Sequence, residues 1–290
     1  MTSKSLLRTI LAWFVAAIFI FPIYFWVTVS IKKDKDIFAI PPKLISFEPS
    51  FKAYEEVLGI SSFLYVEEMG NVRPGGGEFY MMPRIVDSIV IALGSTGIAM
   101  MISLLAAYSL SRMRIRGQQH FLGWIISTRM MPPVAVAIPM FFIYKEIGLM
   151  DSHIGIILIH ALMNLPLAVL LMKSFFDDIP KDIDEAAVMD GASQFYVFWR
   201  LIMPLTIGGI AATSVLCFIF SWTEFIFVLI LTQTGLKTVP VASTAFVTST
   251  GTAWDNMAAL GTASIIPAFI FILLVQKHLV RGLTLGSVKQ

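Results

Sequence analysis

The sequence predicts an all-α fold, that of a polytopic membrane protein with six transmembrane helices. Of its 290 residues, 57% are hydrophobic and 14% are charged, and the mean hydropathy is +0.81. Such a composition places several segments in lipid rather than in water. Apolar windows of about 20 residues, the length that crosses a bilayer, occur six times. They cover residues 10–31, 85–110, 121–145, 154–173, 204–232 and 259–280.

Charge and cysteine content argue against several classes of protein. The net charge is +2, and the basic residues are scattered near the ends of the apolar runs, which argues against a nucleic-acid surface. A single cysteine, Cys217, rules out an intrachain disulfide and a cysteine-based metal cluster, and its apolar surroundings indicate packing. The four histidines are dispersed, so a membrane enzyme is disfavoured. We expect no catalytic and no metal-binding residue.

The first apolar run follows Lys4 and Arg8, as a signal peptide would. It is too long for one, however, and it lacks a small-residue cleavage site at its end. A retained signal anchor, the first transmembrane helix, is therefore predicted.

The distribution of Lys and Arg predicts the orientation. Eleven of them lie near the two termini and in the loops 111–120 and 173–203, whereas the two short opposite loops hold Lys145 and Lys237. The positive-inside rule then places both termini and the loop 173–203 in the cytoplasm. The loop 32–84 is long and balanced in charge, so it has little weight in that rule.

Three parts of the chain follow from this arrangement. Residues 1–84 form an N-terminal transmembrane helix with a small extracytoplasmic insertion at about 32–84, in which RPGGG at 73–77 predicts a flexible turn. Residues 85–281 form the core of transmembrane helices, including a cytoplasmic loop at about 174–204. Residues 282–290 form a cytoplasmic tail.

Small residues and prolines shape the predicted spans. A stripe with a period of four in the second span, and a shorter one at Gly208 and Ala212, would let neighbouring helices approach closely, as in ordinary intramembrane packing. Prolines inside spans are tolerated where neighbours satisfy the freed carbonyl groups. The longer stripe is Ser95, Ala99, Ser103 and Ala107, and the prolines stand at positions 22, 132, 133, 139, 166 and 267.

The cytoplasmic loop predicts two short helices. Asp177 or Asp178 can cap the first, Pro180 suits its first turn, and the acids that follow favour the positive end of the helix dipole. The pair Asp190-Gly191 ends this helix, because glycine accepts a left-handed conformation.

Ser193 can cap the second helix of this loop. Its aromatic residues Phe195, Phe198 and Trp199 are expected to lie against the membrane face. Pro204 then marks the start of the fifth span.

The first of these helices has the surface of a docking element. Ile183, Ala186, Ala187 and Asp190 fall at helical spacing, and the adjacent alanines form a shallow surface beside the charges of Glu185 and Asp190. A helical hairpin that lies on the membrane without a partner is the alternative that these residues leave open.

The same residues resemble the EAA loop of the membrane subunits of ABC importers. Glu185-Ala186-Ala187, Asp190-Gly191-Ala192 and Leu201-x-x-Pro204 stand at the spacing of that motif. Further stretches resemble the second permease subunit of maltose-type carbohydrate importers, and the resemblance covers nearly the whole chain, least of all the insertion. These stretches are RMMPP at 129–133, NLPLAVLLMKSFF at 164–176, SWTEFIF at 221–227 and RGLTLGSVK at 281–289.

The resemblance implies a type I ABC importer permease fold in which the EAA helix couples to an ATPase. Glu185 would pair with a basic residue of the ATPase, Ala186, Ala187 and Gly191 would permit close contact, and Asp190 would order the turn. The tail would also reach the ATPase dimer, in an anchoring or regulatory role, with a disordered basic tail as the alternative. The tail residues concerned are Arg281, Gly282, Leu283 and Thr284.

The chain contains no GxxxxGK[ST] motif, so it is not expected to bind ATP in the usual loop. The resemblance implies that ATP and magnesium bind to two partner ATPase subunits and that this chain holds no cofactor. The other implied partners are a homologous permease and an extracytoplasmic solute-binding protein. In the family, the loop at about 234–257 would face that protein and could enter its cleft, with simple loop contact as the alternative. The residues at its tip are Thr248, Ser249, Thr250, Gly251 and Trp254.

Four polar residues inside the spans are candidates for lining a translocation path. They are Arg129, His160, Asn164 and Glu224. Ionisable groups are costly in a membrane and usually face a cavity or a partner. His160 and Asn164 share a helix face, where hydrogen bonding between helices is the alternative. Arg129 and Glu224 differ in predicted depth, so we expect no direct pair.

The sequence therefore predicts the permease subunit of an ATP-driven ABC importer for a carbohydrate or a related polyol, in the bacterial inner membrane. An ion-driven secondary transporter is the alternative. That class predicts intramembrane carboxylates and often inverted repeats, and Glu224 alone answers that description.

Overall fold

The computed structural model describes residues 3–59, 81–233, 235–248 and 251–286, so the turn predicted at 73–77 lies outside the described residues. The first helices are α1 Ser3–Val29, α2 Asp34–Ile37, α3 Lys52–Leu58, α4 Met81–Arg112, α5 Gln118–Met130, α6 Pro133–Glu146, α7 His153–Asp177 and α8 Asp182–Met189. They are followed by α9 Gln194–Tyr196, a π-helical stretch Val197–Ile202, α10 Met203–Leu205, α11 Ile207–Trp222, α12 Ile226–Leu231, α13 Val239–Ala242, a 3₁₀ turn Ser243–Phe246, the antiparallel strands β1 Val247–Thr248 and β2 Gly251–Thr252, and α14 Trp254–Gly286.

Among the described residues, four straight segments are long and apolar enough to cross a membrane. Two further pairs of helices pass the same test together but are bent, Gln118–Met130 with Pro133–Glu146 by 92° and Gln194–Leu205 with Ile207–Trp222 by 76°. Counting each bent pair as one span gives up to six spans, the number that the sequence predicts, and the all-α membrane fold is confirmed. The second bent pair covers 194–222, however, and therefore starts before the predicted fifth span at 204–232. The straight segments are Leu7–Val29, Met81–Arg112, His153–Asp177 and Trp254–Lys277.

The third predicted span, 121–145, is divided between α5 and α6. It breaks at Met131, which is extended, and Pro132 and Pro133 start α6 as its N-cap and first residue. Two successive prolines remove two backbone donors and push the preceding residue out of the helical region, which accounts for the sharp bend. Single prolines elsewhere stay inside helices, at positions 22, 139, 166 and 267.

The fifth predicted span, 204–232, is also interrupted. Helix α11 ends at Trp222, and α12 starts at Ile226. Between them, the carboxylate of Glu224 accepts hydrogen bonds from the backbone N–H groups of Phe227 at 3.0 Å and Val228 at 3.3 Å. An acid at this position satisfies the free donors of a new helix start, which explains a break in a predominantly apolar run.

The chain forms two compact units. One comprises residues 1–85 and 241–266, and within it Asn256 donates a 2.8 Å hydrogen bond to the buried Glu56. In the same unit, Gly261 lies so close to Trp26 that an added Cβ would approach the indole nitrogen to 2.8 Å. The segment 241–266 thus groups with the N-terminal part of the chain.

The other unit comprises residues 86–240 and 267–290 and is built around α4, α7 and α11. All four members of the small-residue stripe on α4 are fully buried, as packing predicts. Just before the stripe, Gly94 lies so close to α7 that an added Cβ would approach the Cδ1 atom of Ile157 to 2.9 Å. In the shorter stripe Gly208 is buried and Ala212 is half-buried.

Candidate functional site

The EAA hairpin, residues 182–205, begins with α8, which ends where the sequence predicts. Gly191 has φ +87°, and its N–H donates to the carbonyl of Val188 at 2.9 Å. The N–H of Ala192 donates to the carbonyl of Ala187 at 3.0 Å. These two bonds make a Schellman motif, whose left-handed position favours glycine. The Asp190-Gly191 pair therefore fixes the sharp turn of the hairpin.

The predicted caps at the start of α8 are wrong. Helix α7 runs on to Asp177, Asp178 is its C-cap, and the N-cap of α8 is Lys181. Asp177 instead accepts hydrogen bonds from Ser111 at 2.6 Å and Lys173 at 2.5 Å. Because α7 extends past the apolar window, it takes up the acids that the sequence places in the loop.

The second half of the hairpin is partly as predicted. Ser193 caps α9, and its hydroxyl accepts from the N–H of Tyr196 at 3.2 Å. Phe195 and Trp199 are exposed. Phe198, which was predicted to lie against the membrane face with them, is instead buried inside the protein. Its ring lies 4.8 Å from that of Tyr108 on α4. The π-helical stretch Val197–Ile202 departs from the regular helical period on which the prediction depends.

The EAA residues divide between two faces of the hairpin. Ala187 and Ala192 are half-buried and pack against the hydrophobic core of the same chain. Met189, which the sequence reasoning missed, is 87% exposed beside the motif. The exposed members of the motif are Glu185, Ala186, Asp190 and Gly191. Val188 is also exposed, so the outer face combines two acids, small residues and two apolar side chains.

An ion pair holds the inner face of α8 to the end of α4. Arg112 Nε lies 2.7 Å from Asp184 Oδ2, with side chains 7% and 14% exposed. Arg112 Nη2 also donates to the carbonyl of Ile179 at 3.0 Å, and the hydroxyl of Tyr108 donates to Asp184 Oδ1 at 3.4 Å. The sequence reasoning missed this pair. The sequence shows Arg112 at the end of an apolar run and Asp184 beside the motif, but it does not show that residues so far apart in the chain are in contact.

A cavity of about 1080 Å³ brings all four candidate pathway residues together. Arg129 reaches it from α5, His160 and Asn164 from α7, and Glu224 from the break after α11. Aromatic side chains, among them Trp124 and Phe121, also line the cavity. The arrangement offers a volume large enough for a small solute, with polar groups on walls that are otherwise apolar.

His160 is the centre of a polar network in the cavity wall. Its Nδ1 lies 2.7 Å from the hydroxyl of Ser221 on α11, and its Nε2 lies 3.2 Å from Glu224 Oε2. The hydroxyl of Ser95 on α4 donates to Ser221 at 2.8 Å. If Ser221 in turn donates to Nδ1, the proton of the imidazole is on Nε2 and faces the carboxylate. The network joins α4, α7 and α11. The sequence predicted packing for Ser95 and indicated no polar contact for either serine.

The two other candidates bond to the backbone. Asn164 Nδ2 donates to the carbonyl of Cys217 at 3.1 Å, so hydrogen bonding between helices is confirmed for Asn164 as it is for His160. The guanidinium of Arg129 lies 4.8 Å from the centre of the Phe220 ring and donates to the carbonyl of Met163 at 3.3 Å. Glu224 pairs with His160 and not with Arg129, in keeping with their predicted depths.

The remaining candidates lie at two other places. Thr248 and Gly251 belong to the short strands and Trp254 starts α14, while positions 249 and 250 lie outside the described residues. At the base of this loop, the carboxylate of Asp151 accepts from three backbone N–H groups, at positions 233, 235 and 236. The backbone of Arg281, Gly282, Leu283 and Thr284 continues α14 to Gly286, beyond the predicted span end near 280.

Comparisons with known proteins agree with this architecture. The chain is 36% identical over 212 residues to the trehalose transport system permease protein SugB of Mycobacterium tuberculosis, which covers 71% of the chain and 76% of that protein. It is 30% identical over 288 residues to the trehalose/maltose transport system permease protein MalG of Thermococcus litoralis, in an alignment that covers 99% of this chain and 97% of that protein.

A chain in the crystal structure of a bacterial ABC transporter that imports the acidic polysaccharide alginate has the same fold. The TM-score is 0.69 at 22% identity, over 94% of this chain and 95% of that one. The relatives lend no support to an ion-driven secondary transporter. The family model for the inner membrane component of binding-protein-dependent transport systems matches residues 79–285. The chain belongs to this family and is a permease subunit of an ABC importer, a transport subunit rather than an enzyme.

Proposed function

We propose that the chain forms the translocation path for a carbohydrate or a related polyol together with a homologous permease. The names of two relatives, one for trehalose and one for trehalose and maltose, support this substrate class. Two ATPase subunits and an extracytoplasmic solute-binding protein complete the assembly. ATP and magnesium bind to the ATPase subunits, and this chain holds no cofactor.

The observation that carries the docking role is the division of α8 into two faces. Its inner face is fixed by Asp184 and Ala187, while Glu185, Ala186 and Met189 are exposed on the outer face. Val188 is also exposed next to Met189, and adjacent exposed apolar side chains indicate an interaction site better than the small residues alone do. We assign this outer face to the ATPase, with Glu185 paired to a basic residue.

The same assignment orients the chain. With the EAA hairpin in the cytoplasm, both termini are cytoplasmic, and the tail residues 281–284 lie on the ATPase side. The loop 234–257 then faces the solute-binding protein. The three backbone bonds to Asp151 hold the start of this loop, which supports its use as a docking segment.

The cavity supports the substrate class. Its volume of about 1080 Å³ exceeds that of a typical small-molecule site. Sugars combine apolar ring faces with hydroxyl groups, and the cavity offers Trp124 and Phe121 for the former and Arg129 and Glu224 for the latter. We propose that these polar residues contact the passing solute.

Replacing Glu185 with arginine tests the docking role. We expect the E185R chain to accumulate in the membrane with its partner permease but to lose the ATPase subunits on purification, by at least about tenfold, because the charge pair becomes a repulsion. The matched control is Asp178→Arg, the same charge reversal at an exposed acid that precedes α8. Retention of the ATPase by E185R at the level of the control would refute the assignment.

A further inference from the structure

Polar side chains at the end of α4 bind the hairpin and the chain segment that leads into it. Three of the five residues 108–112 take part. Tyr108 donates to Asp184, Ser111 donates to Asp177, and Arg112 donates to the carbonyl of Ile179. Apolar packing already joins the same elements, since Tyr108 stacks edge-on against Phe176 at 5.8 Å and lies near Phe198. The hairpin is thus fixed to α4 both by an aromatic cluster and by a nearly buried ion pair.

A buried ion pair is a poor source of net stability, because the cost of desolvation offsets the attraction. Its two charges must nevertheless stay together, since either one alone would be left unpaired in a site with little water. Such a pair therefore fixes the geometry between two elements better than apolar packing, which tolerates sliding. Arg112 reinforces this with its second contact, to the carbonyl of Ile179, so the guanidinium binds both the connection between α7 and α8 and α8 itself.

The other end of the same helix segment reaches the cavity. Ser95 and Arg112 are both on α4, about 25 Å apart along its axis at 1.5 Å per residue. Ser95 donates to Ser221, which contacts His160 in the cavity wall. One unbroken helix, without a proline between these positions, therefore carries the hairpin anchor at one point and the polar network at another.

We propose that Arg112 and Asp184 are the positioning pair that locks the docking helix α8 to α4, so that a displacement of α8 is delivered through α4 to the Ser95–Ser221 contact of the cavity. This inference rests on the proposed docking of the ATPase at α8. Neither residue touches the ATPase or the solute; both act by holding α8 and α4 as one body.

Distance measurements between spin labels test the proposal without knowledge of the solute. The complex of this chain with its partner permease, ATPases and binding protein is placed in nanodiscs, with Cys217→Ser and labels at L105C on the exposed face of α4 and at D182C at the start of α8. The distance distribution is measured without nucleotide and after trapping with ATP and vanadate. In the parent complex we expect the same narrow distribution in both states.

Asp184→Asn removes the charge and keeps the shape. We expect a distribution about twofold wider, or a mean that differs between the two states, while the ATPase subunits still co-purify. Arg114→Asp is the matched control, because this exposed arginine lies two residues from Arg112 on the same segment, and it should behave as the parent. The exchanged pair R112D/D184R should restore the narrow distribution.

Three results would overturn the proposal: a D184N distribution like that of the parent, loss of the ATPase subunits from D184N, or a wide distribution in R112D/D184R. If D184N does not accumulate, the exchanged pair decides by the same criterion. A failure of the proposed function is seen separately, because the parent chain would then not purify with ATPase subunits at all.

Discussion

The EAA hairpin and the cavity both carry polar residues, but they use them in opposite ways. On the hairpin, Glu185 and Asp190 are exposed, whereas Asp184 faces the protein and pairs with Arg112. In the cavity wall, His160 and Asn164 are buried and bonded to other helices of the same chain. The polar groups of the hairpin are thus available to a partner, whereas most polar groups of the cavity wall are already hydrogen-bonded within the chain.

The difference follows from the solvent at each place. A polar group within the hydrocarbon region that lacks a partner is costly, so residues there must first be satisfied by the protein. At the edge of the membrane, water satisfies exposed acids until a partner replaces it. We therefore expect substitutions in the cavity wall to lower stability, and substitutions on the outer face of α8 to leave it unchanged.

The largest contrast is expected between two glutamates. Glu224→Ala removes the acceptor of two backbone N–H groups and the partner of His160, and should lower the free energy of unfolding by about 1.5–3 kcal/mol. Glu185→Ala, the matched control on the exposed face, should change it by less than about 0.5 kcal/mol. Titration with SDS in mixed micelles measures both. Equal losses for the two variants would contradict the comparison.

Between the hairpin and the cavity, where α11 packs against α7, stability should depend on the size of the side chains rather than on their charge. Gly209 of α11 lies against Phe175, whose ring would be 2.3 Å from an added Cβ, and Phe175 packs on the core beneath the hairpin. Gly209→Ala should therefore cost about 1–3 kcal/mol of stability through overpacking. Gly123→Ala, in a helix with open space around it, should be neutral or stabilising by up to about 1 kcal/mol. A neutral Gly209→Ala in the same SDS titration would show that α7 and α11 can separate freely.

The two regions also differ in what the sequence could reveal. The end of α8 and the cap of α9 depend on neighbours in the chain, and Asp190-Gly191 and Ser193 were predicted correctly from them. The start of α8 was wrong because α7 extends to Asp177, and the length of a helix past its apolar window depends on tertiary bonds such as the one from Ser111.

In the cavity, sequence reasoning found the costly residues but not their partners. Arg129, His160, Asn164 and Glu224 were recognisable as polar groups in apolar runs. Ser221 and Ser95 were not, since serine in a span is common and its partner lies on another helix. Likewise, Phe198 looked like a membrane-facing residue because its burial depends on Tyr108 of α4. Pairings between distant helices are set by packing, which a single sequence does not display.

The smallest expected effect is the coupling energy between His160 and Ser221, and it tests the polar network of the cavity wall directly. In a cycle of His160→Ala, Ser221→Ala and the double variant, the coupling energy should be between about 0.6 and 1.7 kcal/mol, as for hydrogen bonds between membrane helices. Ser127, whose hydroxyl bonds within its own helix α5, provides the control, and the cycle of His160→Ala with Ser127→Ala should give less than about 0.3 kcal/mol. Coupling in the first cycle no larger than in the control would mean that His160 and Ser221 merely lie close together. In that case Glu224, rather than Ser221, would be the partner that holds the imidazole in the cavity wall.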